Sequence, residues 1–343
     1  MTSLNLIQVN PFASPQWDKI VDENPSSQFF HYSCWAKTLT NTYRFPYLYF
    51  TIPSDMCTIP LLVTKTLKGK KKAIALPFSD GCDIRCSSVT SDQLVEKLLD
   101  ISRSEKIDRL EFHGTTEFQP SGGPSHSYWG HRLDISCDEK TLLKNVSPPK
   151  RRNIQKAQRL NTVVTFYNTM ESVKEFYRLH CITRKRHGLP PQPVRFIDEI
   201  YLNIVASNKG QVALAQSGSS VVAGALFLFA KSEVLYKFGA SDKSLQNLRS
   251  NDLVMWEAIK KYSKEGYKTL SFGKTEKFHE GLCRYKEGFG AKRVELTDHI
   301  YQVVSGKKIC EAPDVNGIHN VVFRQLPIPV LRLCGELLYK YSA

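Results

Sequence analysis

The sequence lacks the short motifs that would place it in several common enzyme classes. It has no G-x-x-x-x-G-K-[ST] loop for a nucleoside triphosphate, no strand-led G-x-G-x-x-G for a dinucleotide and no G-x-S-x-G around a nucleophilic serine. It also has no run of 18 apolar residues, the length that a transmembrane helix needs. The amino-terminal residues show neither the basic nor the apolar region of a signal peptide, so we expect a cytoplasmic protein.

The cysteines show no regular spacing. There are nine, an odd number, and this pattern favours reduced, mostly buried thiols over a framework of disulfides. Only Cys82 and Cys86 lie close together, and a zinc site would need two further ligands nearby. We therefore predict neither disulfides nor a metal site.

The length and the charge of the chain set its broad class. A chain of 343 residues exceeds the usual size of a single core, so two domains are expected. There are 47 basic and 33 acidic residues, a net charge of +14, which favours polyanionic partners: nucleic acid, nucleotide-activated substrates or anionic lipid. The excess is local, because residues 140–170 contain seven Lys or Arg and no Asp or Glu.

The pattern of predicted helices and strands divides the chain in two. Pro148-Pro149 interrupts a helical stretch, because proline lacks a backbone donor and clashes with the preceding turn, and we place the domain boundary near it. The two halves share an order of helices, strands, then a helix and a strand, which hints at duplication. The tail from Pro313 is predicted to be a loop followed by a short helix over 330–341.

The stretch from Val234 to Leu296 organises the second half. A strand ending at Gly239 precedes a helix that Ser250 or Asn251 is expected to cap, and Gly266 ends that helix. A second strand (270–272), a short helix (280–287) and a third strand (293–296) follow. Two strands that open away from each other around a capped helix would form a wedge for a ligand, with polar groups at 239–242 and 273–275.

Two basic clusters have both a structural and a functional interpretation. Arg151 and Arg152 fall in the first turn of a predicted helix, where the macrodipole disfavours cations, so they indicate an anion site or a solvated basic face. The cluster from Arg184 to His187 closes another helix. Cations there are favourable by ~0.3–1 kcal/mol each, and the alternative is a clamp for phosphate or carboxylate.

Lys286 is the candidate for chemistry itself. It falls at the end of the 280–287 helix, beside the predicted strand ends, where an ammonium would stabilise the negative charge of a tetrahedral acyl-transfer intermediate. The structural alternative is a cation at a helix carboxyl end. The segment from Arg284 to Ala291 does not match the Q/R-x-x-G-x-G/A pyrophosphate loop, because Glu287 stands where the first glycine is required.

Several longer segments resemble one family. They are FFHYSCWAKTL near the start, ALPFSDGCDI at 75–84, KRRNIQKAQRL at 150–160, LHCITRKRHGLPPQP, the 235–296 stretch and the terminal RQLPIPVLRLCGELLYKY. Together they cover almost the whole chain. They resemble the Fem-type aminoacyltransferases and the BioF2-like, GNAT-fold acetyltransferases, especially those found with envelope and exopolysaccharide gene clusters.

The resemblance implies an α/β fold with two tandem GNAT-like domains, each with a mixed, mostly antiparallel sheet. We expect these domains at residues 1–140 and 141–305, with a tail at 306–343 whose short helix packs back on the amino-terminal domain. The helical arm of some family members is absent, because the loop at 206–210 is too short to contain it.

The resemblance also implies an activity, the formation of an amide by transfer of an acyl or aminoacyl group to an amine on a cell-envelope or exopolysaccharide precursor. Lys286 would stabilise the oxyanion, with no tightly bound cofactor and with acyl-CoA or aminoacyl-tRNA as co-substrate. Asp242, Asp252 and Glu276 are candidate general bases. The substrate-binding candidates are Trp35, Lys37, Arg151, Arg152, Arg184, His187, Tyr236, Asn251 and Lys274.

Other functions remain open at this stage. One is an aminoacyl-tRNA-dependent peptidyltransferase that builds peptidoglycan bridges. Another is a non-catalytic nucleic-acid-binding protein, favoured by the charge but unsupported by any recognised motif. A third is a degenerate transferase at the inner membrane surface, anchored by the terminal helix. That helix carries only Arg332 and Lys340 as cations, so we expect it to dock on protein.

Overall fold

The computed structural model describes residues 4–52, 55, 57–310 and 318–342. The strands are β1 (Ile7–Val9), β2 (Tyr47–Ile52), β3 (Cys57–Lys65), β4 (Lys71–Ala75), β5 (Arg109–Thr115), β6 (His126–Asp134), β7 (Val163–Tyr167), β8 (Gly210–Ser217), β9 (Ser220–Ala230), β10 (Glu233–Ser241), β11 (Thr269–Glu276) and β12 (Lys292–Gln302). The α-helices are α1 (Pro15–Glu23), α2 (Ser33–Tyr43), α3 (Ser91–Ser104), α4 (Glu139–Asn145), α5 (Pro148–Arg159), α6 (Met170–His187), α7 (Val194–Ile200), α8 (Ser250–Lys264), α9 (Glu280–Glu287), α10 (Ile318–Gln325) and α11 (Ile328–Leu338). Within these described ranges no helix is long and apolar enough to cross a bilayer.

The chain forms two compact units. Unit 1 comprises Met1–Trp129, Glu295–Pro313 and Leu338–Ala343, and unit 2 comprises Gly130–Val294 and Asp314–Leu337. These bounds differ from the domains expected at 1–140 and 141–305, because residues 295–313 follow unit 2 in sequence yet belong to unit 1.

Both units repeat one order of elements. In unit 1 the sheet order is β1-β2-β3-β4-β5-β12, and in unit 2 the order from the matching edge is β7-β8-β9-β10-β11-β6. In each, an antiparallel meander is followed by a helix and a parallel strand, β4-α3-β5 and β10-α8-β11. A helical crossover is what a parallel connection requires. The α/β class with two similar units and mixed, mostly antiparallel strand pairing is therefore confirmed, and the repeated topology agrees with the hint of duplication.

The core of unit 2 forms where α8 packs on its sheet. Val254, Met255, Ala258, Ile259 and Tyr262 recur at helical spacing, and all five are buried. This is the apolar stripe that the sequence predicts, and burying each such side chain contributes about 1.5–3 kcal/mol.

Pro148 and Pro149 follow the end of one helix, α4, and begin the next one, α5. They occupy its first positions, where a missing backbone donor has no consequence, and α4 ends before them at Asn145. The predicted interruption of the helix at the proline pair is confirmed.

The prediction that all the cysteines are reduced is wrong for one pair. Cys57 at the start of β3 and Cys86 in the loop after β4 form a disulfide, although 29 residues separate them in sequence. The loop after β4 returns to the start of β3, where the amides of Ser87 and Ser88 donate to the carboxylate of Asp55. Among the described residues the other seven cysteines are free thiols.

The tail contains two helices, α10 and α11, where the sequence predicts a loop and one short helix. The predicted loop at 313–317 lies outside the described residues. Most of α11 belongs to unit 2: the Val194 amide donates to the Glu336 carboxylate (2.8 Å). The sequence predicts that the tail helix packs on the amino-terminal domain. The 3₁₀ turn Tyr339–Tyr341 that follows α11 belongs to unit 1, where the Tyr339 ring lies 5.8 Å from that of Phe78.

Two helix-ending glycines give a matched pair for a stability test. Gly188 ends α6 with φ 69°, and a Cβ there would lie 2.1 Å from the carbonyl oxygen of Asn320. Gly266, after α8, has φ 88° and no atom within 4 Å of its virtual Cβ. We expect Gly266→Ala to lower the free energy of unfolding by about 1 kcal/mol through backbone strain alone. Gly188→Ala should cost about 2 kcal/mol more, because α10 must move. Urea unfolding of the two variants measures the difference, and equal losses would contradict the close packing of α10 on α6.

Candidate active site

The strands β10 and β11 diverge, as the sequence predicts. They pair in parallel at three positions only, from Glu233–Thr269 to Leu235–Ser271. Beyond these, β10 runs to Ser241 along β9, with a bulge between Tyr236 and Phe238, and β11 runs separately to Glu276. Beyond the paired positions the ends of β10 and β11 are therefore separate strand ends within unit 2.

Lys286 lies at the diverging end of β11. Its side chain is 3% exposed, and its Nζ donates to the carbonyl oxygen of Gly273 (3.1 Å) and to Oγ1 of Thr275 (2.6 Å). Cys283 and Lys286, three residues apart, are the buried residues of α9, so this helix packs on β11 through the face that carries the lysine. A solvent-facing cation at a helix end, the structural alternative, does not describe this residue.

A buried imidazole lies close to Lys286. His131 on β6 is fully buried, and its Nε2 lies 3.9 Å from Oε1 of Glu287. Burial, and then the positive charge of Lys286, lower the pKa of His131 to about 4. His131 is therefore neutral at pH 7 and adds no competing positive charge beside the lysine.

The depressed pKa of His131 predicts a loss of stability in acid. Its ordinary pKa is 6.5, so below that pH the unfolded chain binds a proton that the folded chain excludes. Above pH 6.5 the residue is neutral in both states and has no effect, and as the pH falls from 6.5 toward 4 the folded state is destabilised, by on the order of 2 kcal/mol after allowance for solvent screening. Urea unfolding of the native protein and of His131→Gln across this range tests it. If the native protein and the variant lose the same free energy of unfolding between pH 6.5 and 4, the pKa of His131 is not lowered in the folded state.

A polar cavity of about 240 Å³ lies at the start of α8. It is bounded by the end of β10, the first turns of α5 and α8, and the ring of Tyr285 on α9. Its polar lining residues are Lys150, Asn153, Ser241, Asp242, Gln246, Arg249, Ser250, Asn251, Asp252 and Tyr285.

A buried ion pair forms one wall of this cavity. The Nζ of Lys150 donates to one carboxylate oxygen of Asp252, and Nδ2 of Asn153 donates to the other (2.7 Å). The lysine side chain is 13% exposed, that of the aspartate is 8% exposed, and the ammonium lies 3.7 Å from the centre of the Tyr285 ring. Burial lowers the pKa of Lys150, and the charge of Asp252 opposes that shift.

The start of α8 differs from the prediction that Ser250 or Asn251 caps it. Arg249 is the N-cap residue, with φ 58°, because the helix follows a 3₁₀ turn over Lys243–Leu248 that ends in a left-handed residue. Ser250 is the first helical residue, and its buried Oγ has no hydrogen-bond partner within the described structure. Asn251 donates instead from Nδ2 to Oγ of Ser241 (3.0 Å), joining the helix to the end of β10.

The basic cluster at the start of α5 contributes a different residue from those predicted. Arg152 is exposed and Arg151 is half-buried, and neither lines the cavity, whereas their neighbour Lys150 does. The reason is helical phase: Lys150 and Asn153, three residues apart, share the face that meets α8.

The other candidates in unit 2 lie at several places. Arg184 is half-buried and donates from Nε to the carbonyl of Pro190 (3.0 Å), while His187 is exposed at the end of α6. Lys274 is half-buried on the diverging end of β11. The Tyr236 hydroxyl lies 1.6 Å from where a Cβ on Gly239 would be, so this close approach requires glycine, and burial raises the pKa of Tyr236 to about 12.

The candidates from the amino-terminal segment lie in unit 1. Trp35 is fully buried on α2, with its ring 5.0 Å from that of Phe30, and Lys37 on the same helix is exposed. The expectation that Trp35 contacts substrate is not supported, because its side chain forms part of an aromatic core.

Two of the three candidate bases already have structural roles. Asp252 holds Lys150 and Asn153, and Asp242 caps the 3₁₀ turn by accepting from the amide (2.9 Å) and hydroxyl (2.7 Å) of Ser244. Glu276 is half-buried at the end of β11. In the described part of the chain, no three His, Cys, Asp or Glu side chains are grouped as ligands for a metal ion.

Comparison with known proteins places this site within a known domain type. Residues 150–287 match the family model of the acetyltransferase (GNAT) domain, which includes the diverging strands, α8 and Lys286. No curated protein matches the chain in sequence.

Solved structures resemble the fold over most of the chain. FemX has a TM-score of 0.65 at 16% identity, over 86% of this chain and 96% of that one. The carboxy-terminal domain of a putative lysylphosphatidylglycerol synthetase from Agrobacterium fabrum has a TM-score of 0.55 at 11% identity, over 82% and 89%. L-PGS from Bacillus licheniformis has a TM-score of 0.52 at 11% identity, over 94% and 97%. The resemblance predicted from sequence is thus confirmed for the domain type and the fold.

Proposed function

We propose that this protein, whose residues 150–287 are a GNAT domain, is an N-acyltransferase that passes an acyl or aminoacyl group from an activated ester to an amine. One observation carries the proposal. The ammonium of Lys286 is buried against Gly273 and Thr275, on the segment of β11 that has separated from β10.

The chemistry that we assign to Lys286 is stabilisation of an oxyanion. When an amine nitrogen attacks the donor carbonyl, a C–N bond forms and the carbonyl oxygen becomes negative. Collapse of this intermediate breaks the C–S or C–O bond to the leaving group, and the leaving sulfur or oxygen takes up the proton that the amine nitrogen releases. A fixed ammonium in a site with little water stabilises that negative charge far more than it would in bulk solvent.

The separated strand ends supply positioning, the second source of catalysis. Beyond Leu235 and Ser271 the main chains of β10 and β11 no longer pair with each other, and we assign the edge between them to an extended donor. Holding the donor carbonyl and the amine together replaces a covalent nucleophile, and alignment of this kind provides a large part of the barrier reduction in such reactions.

We assign the polar part of the donor to the cavity beside α8. It combines the amino-terminal end of a helix with Lys150, Arg249 and the buried hydroxyl of Ser250. Helix amino-termini bind anionic groups through unsatisfied backbone donors and the macrodipole. Two donors present an activated carbonyl attached to a phosphate-bearing carrier, acyl-CoA and aminoacyl-tRNA. The acceptor class, an amine on a cell-envelope or exopolysaccharide precursor, rests on the sequence resemblance.

Donor and acceptor are tested together. The pure protein is incubated with labelled acetyl-CoA, longer acyl-CoA or charged tRNA, each with an amine-bearing envelope precursor, and amide formation is followed by mass spectrometry. We expect transfer from one donor class, abolished when the acceptor amine is blocked. The absence of transfer from every donor, with donor binding also absent by calorimetry, would overturn the proposal.

A further inference from the structure

The helices α10 and α11 present apolar side chains to solvent. The exposed fractions are 62% for Val321, 54% for Val322, 58% for Leu333 and 59% for Leu337, and Val330 is 41% exposed. Five large aliphatic side chains exposed within 17 residues of sequence are unusual on a soluble protein, and such patches mark interaction sites.

The exposed patch does not arise from a helix that fails to pack. In α11, Leu331 and Gly335 are buried, and Gly335 approaches the carbonyl oxygen of Pro191 so closely that a Cβ would lie 2.1 Å from it. Val330, Leu333 and Leu337 follow at spacings of three and four on the opposite side of the helix. The helix is therefore anchored to unit 2 by one face and carries a second apolar face outward.

A cluster of cations borders this patch. Gly188, at the end of α6, contacts Asn320 of α10, so the Arg184–His187 segment lies beside α10. His187 is exposed as a whole, but partial desolvation of its ring lowers its pKa, and the charges of Arg186, Arg184 and Arg324 lower it further, so these cations lie within Coulombic reach of His187. The guanidinium of Arg332 lies 5.7 Å from the ring centre of Tyr177 on α6, which brings α11 to the same surface.

Acidic groups are scarce in this region. Over residues 318–342 the sequence contains one, Glu336, against Arg324, Arg332 and Lys340. The Glu336 carboxylate accepts a hydrogen bond from the Val194 amide, which fixes it at the junction with α7. The basic cluster, which the sequence could assign only to a helix end or a phosphate clamp, is thus the border of an apolar surface.

We infer that α10, α11 and the end of α6 form a docking surface for an anionic phospholipid bilayer. Short helices with Leu and Val on one side and Arg and Lys beside them lie in the headgroup region, where the aliphatic groups enter the acyl boundary and the cations meet lipid phosphate. A second copy of the chain is the less suitable occupant, because a two-fold contact through this surface would bring like charges together. The inference does not depend on the proposed activity.

Vesicle co-sedimentation tests it with the full chain. Vesicles of phosphatidylcholine with phosphatidylglycerol are compared with vesicles of phosphatidylcholine alone, at low and at high salt. We expect binding to the anionic vesicles, weakened by salt. Leu333→Gln with Leu337→Gln should lower the partition constant about tenfold or more through lost apolar burial. Lys185→Glu with Arg324→Glu should lower it to a similar degree through charge.

Matched controls come from elsewhere in unit 2. Leu160→Gln with Val163→Gln removes two other exposed aliphatics, and Lys156→Glu with Arg159→Glu reverses two exposed cations of α5. Both controls should bind as the native protein does. Equal binding by all variants, or no preference for anionic vesicles, would overturn the inference. Self-association that the Leu333→Gln/Leu337→Gln variant abolishes would also overturn it and assign the surface to a second copy. If the Leu333→Gln/Leu337→Gln variant does not fold, the Lys185→Glu/Arg324→Glu variant still tests the inference, because its substitutions replace charged residues and not apolar ones.

Discussion

Replacing Lys286 with methionine is expected to lower kcat about 10²–10³-fold, with a smaller change in KM. This is the range found when one donor to a developing oxyanion is removed, and an interaction made mainly in the transition state lowers kcat rather than substrate affinity. Methionine keeps the length of the side chain and its contact with Cys283 and β11 while removing the charge. Steady-state kinetics with the donor identified in the transfer assay give the result, and calorimetry shows whether donor binding persists.

Arg284→Met is the control for Lys286→Met. It removes an exposed cation from the same helix, two residues away, so it reports any general effect of charge on α9. We expect its kcat to stay within about threefold of the native value, as for a surface substitution. If Lys286→Met keeps a kcat within about threefold of the native value and unfolds at the same denaturant concentration as the native protein, Lys286 has no role in the reaction. The assignment of the fold would be unaffected by that result.

The diverging strands were predictable because local signals on both sides agree. Gly239 and Gly273 mark breaks in β-prone runs, Gly266 ends a helix with the correct apolar spacing, and Glu280–Glu287 is helical as predicted. Both strands nevertheless extend several residues beyond the predicted 234–238 and 270–272. Ser241 is held in β10 by Thr183 on α6, 58 residues away, and Thr275 is held in β11 by Lys286 on the next helix, α9. Tertiary contacts of this kind leave no mark in a local pattern.

The cavity shows where sequence reasoning reaches its limit. The cation that lines the cavity is Lys150, whereas the sequence predicts Arg151 and Arg152 as the binding residues. Composition identifies a basic helix start, but it does not identify which residue faces a neighbouring helix. The phase of α5 is set by packing on α8, through Ile154 and Ala157. Reading the apolar positions of α5 first would have placed Lys150 and Asn153 on the adjoining face. The ion pair with Asp252, 102 residues away, has no local signal.

The sequence predictions for the disulfide and for the tail helices missed contacts that only the folded chain creates. Cys57 and Cys86 are 29 residues apart with no regular spacing, and they meet because the loop after β4 returns to the start of β3. The sequence predicts that the terminal helix docks on protein, and α11 does so through Leu331 and Gly335, but it has a second apolar face that is exposed. A pattern predicts which residues share a face of a helix, but the number of faces that are covered depends on the rest of the fold.

Replacing Asp252 with alanine is expected to lower the free energy of unfolding by about 3–5 kcal/mol at pH 7, which is the cost of leaving a buried charge without its partner. Lys150 would then be held against Tyr285 with no counter-ion, and Asn153 would lose its acceptor. The pKa of Lys150, already lowered by burial, should fall further. Because a depressed lysine pKa makes the folded state bind fewer protons than the unfolded state, the variant should regain stability as the pH rises toward 10. Urea unfolding at several pH values gives both results.

A double variant separates the buried charge from the loss of packing. Lys150→Met with Asp252→Leu removes both charges and keeps the volume, and such replacements are often neutral or stabilising. Its free energy of unfolding should therefore be at least that of the native protein, without the pH dependence of the single variant. Lys264→Ala is the surface control, because it breaks an exposed ion pair between α8 and Glu139 and should cost less than about 1 kcal/mol. If Asp252→Ala costs no more than Lys264→Ala, the pair is solvated, and the cavity wall is then not the water-excluded surface that binding of the donor's polar part requires. If the double variant also keeps full activity, Lys150 and Asp252 serve the fold rather than the ligand, and the donor must be held by the start of α8 and the separated strands.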